Sequence, residues 1–302
     1  MRLCLNDSRL GPPYGKLPEE RLKVIHDIGF RVAGIGIDID ATDDDIKRVQ
    51  RMFADYGMAF GPGSGGSFFN PDPSVRRTRT DRVKKVLEVA GRLGCPTIRA
   101  AGGSMNPANH WIHHPENHMQ KAFDLYVENT RELLPYAEAA KVAICPETTQ
   151  WTIINGTKRM KEYVDRLDSD YVKVIFDFVN HMTYDRVYDS GGFARRVVAE
   201  LGDRIGVFHV KDVKIGDQLL VCHIDEAPLG TGILDHEAVI GVSKRLEPWK
   251  TFSLEHFNEK DVPKEVQWKK GYDCIQGIAD RIGHTWTNPL CTREKWESGE
   301  CK

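Results

Sequence analysis

The sequence has no long apolar run and no excess of positive charge. No apolar stretch approaches the roughly 18 to 20 residues of a membrane span, and the opening segment MRLCLNDSRL lacks the apolar core of a signal peptide. The net charge of −2 comes from charges of both signs spread along the chain, which leaves no basic footprint for nucleic acid. We therefore expect neither a membrane nor a nucleic acid among the partners.

Paired cysteine motifs are also missing. The seven cysteines are odd in number and scattered, without a CxxC pair, so they suggest neither a disulfide framework nor a zinc knuckle. Because such thiols suit a reducing compartment, we expect a cytoplasmic protein. At 302 residues the chain is longer than most single cores, but α/β barrels of this length commonly form one domain.

What the chain does have is a regular alternation of strand-like and helix-like segments. Apolar runs such as MRLCLN and RVAGIGI predict strands, and amphipathic segments between them predict helices, including one from about Met119 to Lys141 and a closing one from about Pro263 to Ile282. Eight strands in strict alternation with eight helices favour a single (β/α)8 TIM barrel over an open doubly wound sheet. We expect residues 1–285 to form the barrel domain and residues 286–302 a peripheral C-terminal tail.

Four of the apolar runs end in a side chain that can bind a metal ion. VAICPE ends at Glu147, KVIFD at Asp177, IGVFH at His209 and TFSLE at Glu255, at intervals of 30, 32 and 46 residues. About 30 residues is the length of one strand–helix unit. Because the carboxyl ends of barrel strands meet at the face where TIM barrels keep their chemistry, the four side chains are expected to converge.

The alternative for each of these residues is a structural one. A single acid at a strand end is more often a helix cap or an ion-pair partner, but four consecutive strands are much less expected to end this way by chance. Three carboxylates packed together would repel one another unless a cation lay between them. Mostly oxygen ligands with one nitrogen favour one divalent ion, with Mn²⁺ first, Mg²⁺ or Co²⁺ next, and Zn²⁺ less suited.

At these residues the chain resembles the xylose-isomerase-like barrel superfamily of sugar isomerases and epimerases. The resemblance covers most of the chain and lies in CPETT (145–149), FDFVNH (176–181), FHVKD (208–212), PLGTGILDHEAVI (228–240) and SLEHF (253–257). It implies that Glu147, Asp177, His209 and Glu255 bind one divalent metal. It also implies enediolate chemistry on a small-molecule sugar, and a homo-oligomer, either a dimer or a tetramer.

Resemblance to the ketose 3-epimerases of this superfamily implies that Glu147 and Glu255 are catalytic. One would abstract a proton beside the carbonyl and the other return it from the opposite face. The chain departs from these enzymes after the metal Asp, where it has Asn180 and then His181, and after the metal His, where it has Lys211. We expect all three to contact the substrate. Strand alternation points Lys211 to the same side as His209, as a polarising cation, although a solvated rim lysine is the alternative.

The loop NPANHWIHHPENH, residues 106–118, contains four histidines. It lacks the helical spacing of a metal motif and is broken by prolines, which disfavours a second metal site. We expect a lid over the sugar instead. In that lid Trp111 would stack on an apolar ring face, and Asn106 and His114 would contact hydroxyls.

The function predicted from the sequence is that of a metal-dependent isomerase or epimerase of a ketose or sugar-like substrate. A lyase or dehydratase of oxidised sugars, including β-elimination of 3-keto-glycosides or C-glycosides, would use the same metal and the same first step. An AP-endonuclease-like repair enzyme is disfavoured, because that class needs three zincs and further histidines on strands three and four, and the charge does not suit phosphates. A non-catalytic subunit is disfavoured because all four metal positions hold competent side chains.

Overall fold

The computed structural model describes residues 1–6, 10–216 and 220–301. Its strands are β1 (Arg2–Leu5), β2 (Val32–Gly36), β3 (Ala59–Gly66), β4 (Thr97–Ala101), β5 (Ala143–Glu147), β6 (Val174–Asp177), β7 (Ile205–Val210), β8 (Asp212–Ile215), β9 (Ile224–Ala227) and β10 (Thr251–Leu254). All except β8 and β9 form a closed parallel barrel, in which β1 pairs with both β2 and β10. The predicted single (β/α)8 barrel is confirmed.

Helices surround this barrel. They are α1 (Glu19–Ile28), α2 (Asp43–Asp55), α3 (Pro73–Leu93), α4 (Gln120–Arg131), α5 (Leu134–Ala140), α6 (Thr157–Leu167), α7 (Tyr184–Val187), α8 (Ser190–Leu201), α9 (His236–Ser243), α10 (Lys264–Arg281) and α11 (Arg293–Glu297). Helix α2 begins at a capping box in which Thr42 and Asp45 satisfy each other's backbone N–H groups. Among the described residues, no helix is both long and apolar enough to cross a bilayer.

Inside the barrel, strand alternation places three of the candidate ligands next to an apolar layer, on its carboxyl-terminal side. That layer is a separate buried cluster of Ala143, Cys145, Ile175 and Val207. Side chains two residues apart on a strand share a face, so Glu147 follows Cys145, Asp177 follows Ile175 and His209 follows Val207 toward the carboxyl end. The interior of the barrel is therefore filled by apolar side chains at this layer and lined by polar side chains at its carboxyl-terminal mouth.

Strand residues that alternate with these inward-facing positions point outward and pack against one another and against the surrounding helices. The ring of Phe208 lies 5.2 Å from that of Phe176 and 5.7 Å from that of Phe252, measured between centroids. Phe193 of α8 packs on Phe176 at 5.9 Å. These aromatic contacts fix β6, β7 and β10 side by side, and with them the residues that these strands present at the mouth.

One predicted helix is wrong in its extent. The segment from about Met119 to Lys141 forms two helices, α4 and α5, which are separated at Glu132 and Leu133. Pro135, in the first turn of α5, has no N–H to donate to a preceding turn. The break follows from this missing hydrogen bond.

A hairpin that strict alternation did not predict lies between β7 and α9. Strands β8 and β9 pair antiparallel, with Asp212 opposite Ala227 and Ile215 opposite Ile224. The buried carboxylate of Asp212 accepts hydrogen bonds from the backbone N–H groups of Gly230 at 3.0 Å and Gly232 at 2.9 Å. Asp212 therefore ties the return of the hairpin to its first strand.

Replacing Asp212 by Ala should destabilise the fold by about 2 kcal/mol or more, because several backbone donors would lose a charged acceptor. Urea denaturation monitored by circular dichroism measures this change. Asp225, which is exposed on β9 of the same hairpin, is the control, and its replacement by Ala should change the stability by less than about 0.5 kcal/mol. Equal effects of the two variants would contradict the anchoring role of Asp212.

The C-terminal segment packs on the barrel through polar contacts and carries a disulfide between Cys291 and Cys301. Arg293 of α11 pairs with Asp170 at 3.0 Å, and Lys141 pairs with Glu294 at 2.6 Å. The sequence did not predict this disulfide, because two cysteines ten residues apart match no recognised spacing motif.

Candidate metal centre and active site

The four predicted ligands meet at the carboxyl-terminal mouth of the barrel. Glu147 and Asp177 are the last residues of β5 and β6, His209 is near the end of β7, and Glu255 directly follows β10. Asp177 lies opposite His209 in the register, and His209 lies opposite Ser253. One potential ligand atom from each residue lies within 4.8 Å of those of the other three. The structure thus brings together the four residues that the strand ends indicated.

Hydrogen bonding within this cluster is incomplete. All four side chains are at most 5% exposed. Glu147 Oε2 and His209 Nδ1 make no hydrogen bond, while Asp177 Oδ2 and Glu255 Oε1 face the ammonium of Lys211 at 2.8 and 3.0 Å. Buried polar atoms without partners are costly and uncommon. Three carboxylates and one imidazole that converge in this way fit a divalent cation with a preference for oxygen ligands.

Among the described residues, Lys211 is the cation nearest to these carboxylates. Its Nζ lies 2.8 Å from Asp177 Oδ2 and 3.0 Å from Glu255 Oε1. The residue is only 3% exposed, which excludes the solvated rim lysine considered from the sequence, and it points to the same side as His209, as alternation predicted. Burial alone would lower the pKa of Lys211, but the carboxylates outweigh burial and raise it. Lys211 is therefore a permanent positive charge in the cluster.

The two glutamates differ in their electrostatic surroundings. Burial, with a further contribution from Glu255, raises the pKa of Glu147. Burial would also raise the pKa of Glu255, but His209 and Lys211 outweigh it and hold that pKa well below its usual value. With only protein groups present, the two carboxyl groups therefore differ in how readily they ionise.

His209 responds to the same charges. Burial lowers the pKa of an imidazole, but here Glu255, Asp177 and Glu147 outweigh burial and raise it to about 10. With only protein groups present, the cluster therefore holds a proton on His209. A metal ion must displace that proton before the imidazole can become a ligand.

Two asparagines hold the cluster from its sides. Asn180 donates from Nδ2 to Glu147 Oε1 at 3.3 Å and from its backbone N–H to Asp177 Oδ1 at 3.0 Å, and its Oδ1 accepts from Lys211 at 3.2 Å. Asn6, directly after β1, donates to Glu255 Oε2 at 2.9 Å. Asn180 was predicted as a substrate contact, and the structure shows that it hydrogen-bonds to two of the candidate metal ligands, Glu147 and Asp177. Asn6 was missed, because a single polar residue at a strand end gives no signal.

His181 lies deeper than a residue at the open mouth. It is 1% exposed, its Nε2 lies 2.9 Å from Thr148 Oγ1, and its ring stacks on Phe176. Burial lowers the pKa of His181 to about 4, so its imidazole is neutral at ordinary pH. The predicted substrate contact by His181 stays a prediction.

The residues predicted as a lid organise their own loop. Asn106 Oδ1 accepts from the backbone N–H groups of Ala108 and Asn109, and His114 Nδ1 accepts from that of Glu116. The carbonyl of Trp111 accepts from the indole of Trp151 at 2.9 Å. Within the described parts of the chain, no hydrogen bond or ion pair joins Asn106, Trp111 or His114 to the metal cluster. Their role as a lid stays a prediction.

Arg99 is a residue of the site that the sequence analysis missed. It lies in β4, and its NH1 is 3.5 Å from Glu147 Oε2 and 3.9 Å from Glu255 Oε2. About 31% of its side chain is exposed. The available signal was a charged residue within the apolar run of a barrel strand, where both faces are normally buried.

Two cavities adjoin the cluster on either side of Glu255. The first, of about 370 Å³, lies over β1 to β4 and is lined by Asn6, Ser64, Arg99, Glu255 and Lys264 among others. The second, of about 380 Å³, lies beneath the hairpin and includes Lys211, Glu226 and His256. Both volumes fall within the range of small-molecule sites, about 300 to 1,000 Å³. A substrate can therefore reach the cluster from the open mouth.

The sequence and the fold together define the family. The family model described as xylose isomerase-like TIM barrel matches residues 22–278, and the chain belongs to this family. The resemblance recognised at the strand ends is thereby confirmed.

The relatives include proteins named as sugar epimerases. An Escherichia coli (strain K12) protein, provisionally named as an L-ribulose-5-phosphate 3-epimerase, is 24% identical over 196 residues, which is 64% of this chain and 63% of that protein. D-psicose 3-epimerase from Clostridium cellulolyticum H10, solved with D-tagatose, is 17% identical with a TM-score of 0.64, and the match covers 93% of this chain and 98% of that chain.

A third relative was solved with a metal ion. The xylose isomerase-like TIM barrel protein from Mycobacterium smegmatis, in complex with magnesium, is 16% identical with a TM-score of 0.67, and the match covers 92% of this chain and 96% of that chain. At these identities the two solved structures show a shared fold.

Proposed function

We propose that this chain is a divalent-metal-dependent sugar epimerase or isomerase that works by proton transfer beside a carbonyl. The observation that carries the proposal is the convergence of one ligand atom from each of four buried residues to within 4.8 Å of one another. The names of the sugar epimerases among its relatives support the same chemistry.

Glu147, Asp177, His209 and Glu255 are the residues that would hold the metal. A divalent ion bound there supplies Lewis-acid stabilisation of the negative charge that develops on the substrate oxygens when a neighbouring C–H is deprotonated. We assign Mn²⁺ first, with Mg²⁺ and Co²⁺ as alternatives, because oxygen ligands predominate. The magnesium complex of the related barrel supports a hard cation.

The proton transfers belong to Glu147 and Glu255. They project from β5 and β10, which β6 and β7 separate in the barrel, so they approach a substrate from different sides of the mouth. One carboxylate removes the proton and the other returns it to the opposite face. Lys211, fixed between Asp177 and Glu255, holds positive charge close to the reacting oxygens.

The proposed substrate is a small sugar, and the proposed location of the reaction is the cytoplasm. Five cysteines of the chain are free thiols, namely Cys4, Cys95, Cys145, Cys222 and Cys274. These five free thiols are typical of a reducing compartment, and the Cys291–Cys301 disulfide of the C-terminal segment is the exception among the seven cysteines.

Metal analysis tests the centre directly. Purified protein should contain or take up about one divalent ion per chain, and chelation should remove both the ion and the activity. His209→Ala should weaken metal binding strongly and leave the fold intact, because the stability of a barrel resides mainly in its core and its opposite face. Isothermal titration with Mn²⁺ measures the affinity.

The matched control for this experiment is His223→Ala, which removes an exposed histidine outside the cluster and should bind metal as the wild type does. If His209→Ala held Mn²⁺ as tightly as the wild type, the ligand assignment would be wrong. Three zinc ions per chain would instead indicate the endonuclease class.

Product analysis separates epimerisation from elimination. Protein loaded with Mn²⁺ should convert at least one member of a panel of ketoses into its epimer without loss of a leaving group. The same panel should contain 3-keto-glycosides, since release of an aglycone from these, without any epimer, would identify the lyase alternative.

A further inference from the structure

We propose that the cavity over β1 to β4 is an anion-binding subsite in which Arg99, assisted by Lys264, receives a carboxylate or phosphate group of the substrate. This inference rests on the proposed function, because it names the class of sugar that the same site takes. The substrate is then an anionic sugar derivative, either a keto sugar acid or a sugar phosphate.

Arg99 carries a positive charge beyond what balances the metal centre. Among the described residues, the carboxylates of Glu147, Asp177 and Glu255 are balanced when one divalent ion joins the buried ammonium of Lys211. The nearby carboxylate of Glu226 pairs with His256 at 2.8 Å. The guanidinium of Arg99 then remains as an additional positive charge at the edge of the cluster. Arg99 has no other carboxylate within ion-pair distance in the described parts of the chain. A substrate anion supplies the missing negative charge.

The guanidinium of Arg99 stands too far from both glutamates for strong hydrogen bonds. Its NH1 stands 3.5 Å from Glu147 and 3.9 Å from Glu255, longer than the 2.7 to 2.9 Å of a good charged hydrogen bond. The side chain is about 31% exposed and lines the cavity. Arginine presents planar, paired donors that match both carboxylate and phosphate oxygens. Arg99 therefore keeps donors directed to the space that a substrate fills.

Lys264 adds a second cation to the same cavity wall. It is the first residue of α10, and its Nζ donates to the carbonyl of Phe257 and approaches Asn258 Oδ1 at 3.4 Å. No carboxylate lies within ion-pair distance of Lys264 among the residues that the structure describes. Asn6 and Ser64 line the cavity as well and offer neutral hydrogen-bonding groups for hydroxyls. Lys264, which has no carboxylate partner in the described parts of the chain, and Arg99, whose two glutamate contacts are long, distinguish this cavity from a site for a neutral sugar.

The test uses ligands without a carbonyl, so that binding is measured without turnover. Isothermal titration of the Mn²⁺-loaded protein compares a hexitol, the same hexitol bearing a 6-phosphate, and the hexonate of the same chain length. The wild type should bind at least one of the two anions roughly 10- to 100-fold more tightly than the hexitol, as expected for charged hydrogen bonds. The phosphate and carboxylate arms identify which anion the site takes.

Variants locate the effect. Arg99→Gln should abolish the preference for the anion and change the hexitol affinity by less than about threefold, while Arg99→Lys should retain part of the preference. Lys264→Gln should reduce the preference by a smaller factor. Arg51→Gln, at an exposed position on α2, is the matched control and should change nothing. Bound Mn²⁺, measured in every variant, should stay at the wild-type level.

Three outcomes would overturn the subsite. They are equal wild-type affinity for all three ligands, no binding of either anion, and equal weakening of all three ligands by Arg99→Gln. An anion preference that depends on Arg99, found in a protein that epimerises no ketose, would support the subsite and reject the epimerase. Epimerisation of neutral ketoses without any anion preference would reject only the subsite.

Discussion

Replacing either Glu147 or Glu255 by Gln should lower the rate of epimerisation by about 10² to 10⁴ in protein saturated with Mn²⁺. Glutamine keeps the size of the side chain and one oxygen that can bind a metal, but it cannot accept the proton. The weaker ligand adds a further loss. Rates are therefore compared at metal concentrations that fill the site of each variant, with the bound metal measured directly.

Exchange with solvent deuterium distinguishes the two glutamates. In D₂O the wild type should incorporate deuterium at the carbon beside the carbonyl while it inverts that centre. If the two carboxylates serve opposite faces, one variant should exchange the proton slowly without inversion, and the other should neither exchange nor invert. Glu237→Gln, at an exposed position on α9, is the control and should behave as the wild type does.

Normal inversion by both variants with metal bound would assign Glu147 and Glu255 as ligands alone. The base would then have to be sought at His181, at Lys211 or in the loop 110–118. Of these, Lys211 lies 3.0 Å from Glu255, but the neighbouring carboxylates raise its pKa, so it already carries its proton and is the weaker candidate. His181 is neutral, because burial lowers its pKa to about 4, but it is buried against Phe176 and Thr148.

The order of the barrel strands and the positions of the four candidate ligands could be predicted from the sequence for one physical reason. Buried parallel strands are nearly continuous apolar runs, so a charged side chain at the end of such a run is conspicuous. Glu147, Asp177 and Glu255 each mark the end of a strand to within one residue. At these positions the end of the apolar run in the sequence coincides with the end of the strand in the barrel.

The parts of the site that escaped prediction depend on distances across the barrel. Arg99 and Asn6 lie on β4 and just after β1, far in sequence from Glu255, and meet it only because the sheet closes. The β8–β9 hairpin also escaped prediction, because DVKI and IDEA are only four residues long and half of the residues in each are charged. Its pairing depends on a loop whose return Asp212 fixes.

Lys211→Met should produce the largest change in stability, and metal should reverse most of it. Removal of the ammonium leaves Asp177 and Glu255 buried without the partner that now lies 2.8 and 3.0 Å away, a defect that costs about 3 to 5 kcal/mol. The free energy of unfolding measured with a chelator present should fall by that amount. Lys214→Met, at an exposed position on β8, is the control and should change it by less than about 0.5 kcal/mol.

Saturating Mn²⁺ should restore most of the stability of Lys211→Met. An ion that binds only the folded state stabilises that state, and the gain in free energy of unfolding rises with the logarithm of the ratio of the ion concentration to the dissociation constant. The variant should also bind Mn²⁺ more tightly than the wild type, since the ammonium and the metal share Asp177 and Glu255 as neighbours. Loss of metal affinity in Lys211→Met would contradict this electrostatic account. Lys211 would then hold the ligands in position rather than balance their charge, and the surplus positive charge assigned to Arg99 would need a different origin.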